Sequence, residues 1–375
     1  MYLSHVNLKN FRNYREATLE APPGLILVRG PNGAGKTNLL EAFHFLALGR
    51  SFRTNNDRDL VLRGEDGLAV RAASQTARGE QTLEIHYAPS GKRVVVNGET
   101  IPRLVDYVGT LAVVAFTPDD LGLVKEEPAS RRRFLDVWLG QESRDYLYTL
   151  QRYQNGLRSR NALLSRGAPR HEIEPYDHEL VAAGAKLTAL RARAAAALGP
   201  AAASAYADLA PEAEDFGAAY APAVAADGDD AEEIAPAFER ALRASRDEEE
   251  RRGLTLVGPH RDDLTLTVKG RDARRFASEG QQRTAALSLR LAQFRLLGEK
   301  RGDAPLLLLD DVASELDEER QQRLAHAVRG AEQTWFTATA APPGLEPVAN
   351  MNISEGIITA SDRRGRTAAP DDAGT

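Results

Sequence analysis

Residues 30 to 37 read Gly30-Pro31-Asn32-Gly33-Ala34-Gly35-Lys36-Thr37. They meet the pattern G-x-x-x-x-G-K-[ST] at every fixed position, which are Gly30, Gly35, Lys36 and Thr37. Leu25-Ile26-Leu27-Val28, just before, is the short apolar run expected of a buried parallel strand. From Asn38 to Leu46 the apolar residues recur at helical spacing. Glycines let the main chain close around a phosphate with its N–H groups inward, and the next helix offers the same anion its positive end. The stretch from Gly30 to Asn38 is therefore a predicted triphosphate site. Lys36 is expected on the β- and γ-phosphates, and the Thr37 hydroxyl on Mg²⁺.

Composition narrows the class around that site. The chain has 375 residues, 42% hydrophobic and 27% charged, an ordinary globular balance. It has no cysteine, which excludes disulfides and thiolate metal sites and fits a reducing compartment. The N-terminus shows no export signal, and no apolar run approaches a membrane span, so a cytoplasmic protein without a membrane partner is expected. A net charge of −6 argues against wholesale wrapping of nucleic acid. Its distribution is uneven: residues 151 to 200 hold eight Arg and Lys against four acidic residues, and residues 201 to 250 hold fourteen acidic residues against three Arg. That asymmetry reads either as one basic and one acidic face or as two solvated helical surfaces.

Along the chain, strand-like segments surround the glycine-rich loop up to residue 117. Among them is a hairpin signal at Asn97-Gly98. From Pro118 to about residue 252 the sequence is Ala- and Arg-rich and helical, with breaks expected at Gly199-Pro200 and Pro211. Strands return at 254–257 and 264–268, followed by a helix from about Gln281 to Glu299. Residues 361 to 375 are polar and read as disordered. The reading is an α/β head formed by residues 1–117 and 253–375, with a mostly helical lobe, 118–252, inserted in it.

Two further motifs select among triphosphate sites. Leu306-Leu307-Leu308-Leu309 runs into Asp310-Asp311, the pattern of a strand buried on both faces that ends at a ligand edge. Asp310 is expected to hold Mg²⁺, and Asp311 to orient or deprotonate the attacking water. Upstream, Ser278 suits the N-cap of a helix in Phe276-Ala277-Ser278-Glu279-Gly280-Gln281-Gln282-Arg283. Ser278, Gly280 and Gln281 resemble the signature motif of ABC-type P-loop ATPases, and Ser314-Glu315-Leu316-Asp317 resembles their D-loop. In that family the signature contacts the ATP of a partner subunit, and the D-loop crosses the dimer interface.

The resemblance becomes finer with Phe11-Arg12-Asn13-Tyr14, Gly49-Arg50-Ser51-Phe52-Arg53-Thr54, Pro118-Asp119-Asp120-Leu121, Arg131-Arg132-Arg133-Phe134-Leu135-Asp136 and Gly258-Pro259-His260-Arg261-Asp262-Asp263. In that order they are similar to the RecF family of bacterial recombination mediators, relatives of the SMC proteins. The span between Lys36 and Asp310 is too short for the SMC coiled coil. The resemblance implies a cytoplasmic ATPase that forms a homodimer around ATP and Mg²⁺ and binds gapped or duplex DNA without reading sequence. It further implies work with RecR and RecO in recombinase loading, DNA repair, replication and the SOS response. Arg12 is then expected near the base, and Arg53 near phosphate.

Two departures from transport-type relatives imply slow turnover. Asp311 stands where they carry Glu, and Trp335-Phe336-Thr337-Ala338-Thr339 lacks their switch His, with Thr339 as the substitute contact. No Q-loop glutamine is identifiable between Phe116 and Asp120. Phosphate-neutralising arginines for DNA are sought at Arg131, Arg132 and Arg133 and at Arg158, Arg160, Arg166 and Arg170. The alternatives are a transporter-type ATPase subunit and an ATP-driven switch or adaptor that binds no DNA.

Overall fold

The structure, a computed structural model, describes residues 1–210, 212, 214–338 and 346–362. Thr339, Pro211 and the polar end beyond residue 362 lie outside the described residues. The chain divides into two compact units. The first comprises residues 1–120, 208–211 and 293 onward, and the second 121–207 and 212–292.

The elements of the first unit begin with β1 (Tyr2–Phe11), β2 (Tyr14–Glu20), β3 (Gly24–Arg29) and α1 (Lys36–Leu48). They continue with β4 (Leu68–Thr76), β5 (Gly79–Ala88), β6 (Gly91–Val96), β7 (Glu99–Ile101), α2 (Leu104–Tyr107) and β8 (Val113–Phe116). The second unit carries α3 (Gly122–Lys125), α4 (Pro128–Glu142), α5 (Arg144–Ser165), α6 (Arg170–Leu209), β9 (Phe216–Ala221), α7 (Ala231–Arg252), β10 (Asp263–Val268), β11 (Arg271–Asp272) and α8 (Ala273–Phe276). Helix α9 (Glu279–Arg301) leads back to the first unit, which closes with β12 (Leu306–Asp310), α10 (Glu318–Ala327), β13 (Gln333–Thr337), β14 (Ala349–Ser354) and β15 (Ile357–Asp362).

The first unit holds two six-stranded sheets. One is antiparallel in the order β2-β1-β4-β5-β6-β7, and Asn97-Gly98 turns β6 into β7 with both residues at positive φ. The other runs β15-β14-β3-β13-β12-β8 and is parallel except for β15. Every residue of β12 and β13 is buried, as parallel pairing on both edges requires of apolar strands. Each β12 leucine withdrawn from water contributes roughly 1.5–3 kcal/mol. Because β12 and β13 pair in parallel with Asp310 opposite Thr337, both strands deliver those residues to the same end of the sheet. The α/β ABC-type head with a helical insertion is the observed fold class.

The second unit corrects three sequence-based expectations. Its boundary falls at residue 292 and not at 252, because β9 pairs antiparallel with β10 from Phe216↔Val268 to Asp263↔Ala221 and ties the returning chain to the helices. Residues 254–257 form no strand. There the Thr255 N–H and hydroxyl donate to Asn161 Oδ1 at 2.8 and 2.7 Å, and the Leu256 N–H donates to Glu249 Oε1 at 2.7 Å, so side chains replace a ladder. Helix α6 also continues through Gly199-Pro200. Buried Leu198, Ala202, Ala205 and Tyr206 hold it by packing, which outweighs the hydrogen bond lost at the proline. Gly199 allows β9 close: a Cβ there would stand 2.8 Å from the Ala218 carbonyl oxygen.

Candidate active site

The glycine-rich loop links β3 to α1, and no side chain caps the α1 N-terminus. Its first-turn N–H groups are the kind that anions satisfy. Gly35 sits at φ 117°, and a Cβ on it would stand 2.6 Å from the Asn13 amide, so only glycine fits. Asn13 Nδ2 donates to the Ala34 carbonyl at 2.8 Å, and Tyr14 donates its hydroxyl to the Gly35 carbonyl at 2.9 Å. Burial pushes the Tyr14 hydroxyl pKa up, so it remains a donor. The turn between β1 and β2 thus clamps the loop from outside. Lys36 Nζ donates to the carbonyls of Gly30 and Pro31 at 2.9 and 3.1 Å, which fixes the ammonium at the loop's mouth.

Glu41 on α1 is fully buried, and a carboxylate there requires partners. Arg12 supplies a two-pronged ion pair, Nε and Nη2 each 2.8 Å from Glu41, while its Nη1 donates to the Asp59 carbonyl at 2.7 Å. Ser51 Oγ adds a third bond to Glu41. Arg12 is therefore a neutralising partner of Glu41 on α1. Arg53 stays half open at the rim, with Nη1 2.9 Å from Asn38 Oδ1 and 3.4 Å from Glu41 Oε2.

At the end of β12, Asp310 Oδ1 accepts from the hydroxyls of Thr37 and Thr337, each at 2.9 Å. Burial raises the Asp310 pKa against the lowering effect of those two bonds, and nearby Asp311 raises it further. Thr337 also accepts the Asp311 N–H at 2.8 Å. Asp311 itself lies at φ 52°, a left-handed conformation that costs a non-glycine residue energy. Its carbonyl accepts from Ser314 Oγ at 2.8 Å, so both main-chain groups of Asp311 are fixed while its side chain stays exposed. Asp317 caps α10 through the Arg320 N–H at 2.8 Å. Thr337 carried no motif in the sequence, because only the β12–β13 register brings it to Asp310. Asn13 and Tyr14 lay inside a quoted motif, but their target carbonyls are visible only in the fold.

In the second unit, Ser278 and Gln281 form a reciprocal cap at the start of α9. The Ser278 N–H donates to Gln281 Oε1 at 2.8 Å, and the Gln281 N–H donates to Ser278 Oγ at 3.3 Å. Gln281 Nε2 reaches Glu214 at 2.9 and 3.1 Å. Burial alone would raise the Glu214 pKa, but hydrogen bonds from Lys269, Gln281 and Tyr206 hold it below the usual carboxylate value. Ser278 remains exposed, and Gly280 partly so.

Comparison with known proteins fits this geometry. The family described as RecF/RecN/SMC N terminal domain matches residues 2–342. A DNA replication and repair protein RecF from Symbiobacterium thermophilum is 46% identical over 343 residues, covering 90% of this chain and 92% of that protein. The chain belongs to the RecF family. A solved structure of the recombination mediator protein RecF-ATPrS in the RecFOR pathway aligns with a TM-score of 0.89 at 32% identity, covering 95% of this chain and 97% of the other. An Smc head bound to the C-winged helix domain of ScpA aligns with a TM-score of 0.55 at 15% identity, covering 96% and 98%, and shares the fold.

For a RecF-family chain the arginines proposed for DNA need correction. Arg131 is buried, with Nε and Nη2 2.7 and 3.0 Å from Asp263 and Nη1 on the carbonyls of Leu123 and Glu126. Arg132 donates to the Asp262 carbonyl at 2.7 Å. Arg160 is 1% exposed and binds Asp177, Glu249 and Thr255. Arg131 and Arg160 are buried and committed to carboxylates, which withdraws them from a surface phosphate, whereas Arg132 stays partly exposed. Arg166 pairs with Glu172, and Arg170 with Asp247 and Glu250. The basic and acidic stretches thus neutralise each other across α5, α6 and α7, and do not make two faces. Arg158 remains exposed, with Nη2 on Asn155.

Proposed function

We propose that this protein is an ATP-gated, DNA-binding mediator of recombination whose two copies close head to head around two ATP molecules. The observation that carries the reading is the convergence of Thr37, Asp310 and Thr337 within 2.9 Å contacts at the mouth of the glycine-rich loop. ATPase activity and the recombination-mediator role accord with membership of the RecF family. Thr37 and Asp310 offer two hard oxygen donors side by side, the set that Mg²⁺ takes together with substrate phosphates. Mg²⁺ held by these two oxygens would neutralise phosphate charge. Lys36 binds the same phosphates, and Asp311 orients the attacking water with its carboxylate. A carboxylate one methylene shorter than Glu suits slow turnover, so the ATP-bound state persists.

Dimerisation assigns Ser278, Gly280 and Gln281 to the γ-phosphate held by the other copy, and Ser314 and Asp317 to the interface. DNA binding at gaps, work with RecR and RecO, and a cytoplasmic location belong to the same proposal. No helix among the described residues is long and apolar enough to cross a membrane. The test is analytical sedimentation of the Asp311→Asn variant with Mg-ATP and gapped duplex. A doubled mass that carries DNA supports the reading, and an unchanged mass at saturating ATP overturns it.

One observation favours a second reading, an ATP-driven switch that binds no DNA. Most of the arginines considered for DNA are spent on internal ion pairs. Doubling without DNA would establish that alternative.

A further inference from the structure

Among the described residues, only two large apolar side chains are exposed, Phe276 at 57% and Ile357 at 66%. Phe276 ends α8, two residues before Ser278. Its setting is rigid. Ala273 at the start of α8 is fully buried, and the Asp272 side chain caps the helix through the Arg275 N–H at 2.9 Å. From α9, buried Gln282 donates to the carbonyls of Ala273 and Arg274 at 3.1 Å each. The Arg274 side chain is held by Glu127 at 2.6 Å. The Arg271 guanidinium lies 4.2 Å from the Phe276 ring centroid. One face of the ring is thus covered by a cation, and the ring stays more than half exposed. The exposed Arg275 side chain has no partner among the described residues.

An open aromatic face backed by a guanidinium, with a second cation beside it, matches a flat aromatic ring carrying a nearby phosphate. That is the chemistry of a nucleotide. A single-ring or aliphatic ligand would use less of the face, so a purine gains most. We infer that Phe276, backed by Arg271, stacks on the adenine base of the ATP bound by a second copy of this chain. The inference rests on the head-to-head reading, in which Ser278 already meets that nucleotide's γ-phosphate. It adds a contact to the other end of the same molecule. ATP held by one copy alone gains nothing from Phe276, so the platform couples base identity to dimer closure.

The test uses the full-length chain carrying Asp311→Asn, alone and with Phe276→Ala or Phe276→Trp. Each protein is titrated with Mg-ATP and with Mg-CTP and followed by sedimentation. Expected is an ATP half-point for mass doubling raised about tenfold by Phe276→Ala and preserved by Phe276→Trp, in line with the worth of one base–aromatic stack. The CTP half-point should move by a smaller factor than the ATP half-point, because a pyrimidine covers less of the ring, and ATP binding to the dilute monomer should not change. Tryptophan fluorescence of the Phe276→Trp variant should be quenched on ATP-driven doubling. Equal losses with ATP and CTP would reduce Phe276 to interface packing and overturn the inference. An unmoved ATP half-point would overturn it as well. So would intact doubling with lost binding of an oligo-dT strand, which would make the ring a single-strand DNA contact. If the parent chain itself does not double with ATP, the head-to-head reading fails, and this inference falls with it.

Discussion

Thr337 Oγ1 donates to Asp310 Oδ1 at 2.9 Å and accepts the N–H of Asp311 at 2.8 Å. One hydroxyl therefore sets the side chain of the expected metal ligand and the main chain of the expected catalytic carboxylate. Thr337→Val keeps the shape and removes both bonds. A lost hydrogen bond to a charged group is worth about 1.5–3 kcal/mol, so turnover should fall roughly tenfold to a hundredfold. ATP affinity should change little, and Thr337→Ser should restore most of the rate. Steady-state ATPase assays with separate kcat and KM check this.

Asp311→Asn preserves size and the left-handed main chain, since Asn tolerates that region as well as Asp does. It removes the negative charge. Turnover should drop at least about a hundredfold, within the range of a general-base contribution, while ATP binding persists. Single-turnover hydrolysis alongside equilibrium nucleotide binding separates the two. Lys36→Ala should instead abolish binding.

Arg160 is enclosed by Asp177, Glu249 and Thr255. Truncating it strips the fully buried Glu249 of its cation, although Asp177 keeps Arg246 at 2.9 Å, and an uncompensated buried charge costs about 3–5 kcal/mol. Arg160→Ala should lower the urea midpoint accordingly, whereas exposed Arg158→Ala should shift stability by less than about 0.5 kcal/mol. If Arg158 contacts DNA phosphate, its loss should weaken binding and flatten the salt dependence by about one charge. Chemical denaturation and salt titrations read the two effects.

His260 is held neutral. Burial, joined by Arg261, Arg132 and Arg160, outweighs the raising effect of its bond to the Thr255 carbonyl and pushes its pKa down to about 4. Nδ1 accepts from the Tyr153 hydroxyl at 2.6 Å, and Nε2 donates to the Thr255 carbonyl at 3.1 Å. The unfolded chain takes up this proton below about pH 6.5, while the folded chain resists it until about pH 4. The unfolded state thus binds more protons within that window, and stability should fall as pH drops through it, by on the order of 2–3 kcal/mol in all. His260→Gln should flatten that slope. Denaturation midpoints from pH 4 to 7 provide the check.

The sequence by itself determined the parts whose chemistry is local. The loop from Gly30 to Thr37 is legible because its glycines, lysine and threonine are consecutive, and α1 must follow such a loop. The leucines before Asp310 announced a doubly buried strand, and Ser278 announced a helix cap that its bonds to Gln281 realise. Tertiary structure decided whatever depends on register or burial between distant segments. Thr337 meets Asp310 only because β13 pairs in parallel with β12. Arg12, Arg131 and Arg160 look like free cations in sequence, yet each is bound to a carboxylate at least seventeen positions away. Burial made the difference, because a charge removed from water must take the nearest opposite charge. The second unit keeps residues 253–292 for the same kind of reason: β9, hidden in an alanine-rich stretch, acquires strand identity only by pairing with β10. A motif is read along the chain, whereas a side chain's partner is fixed by the fold.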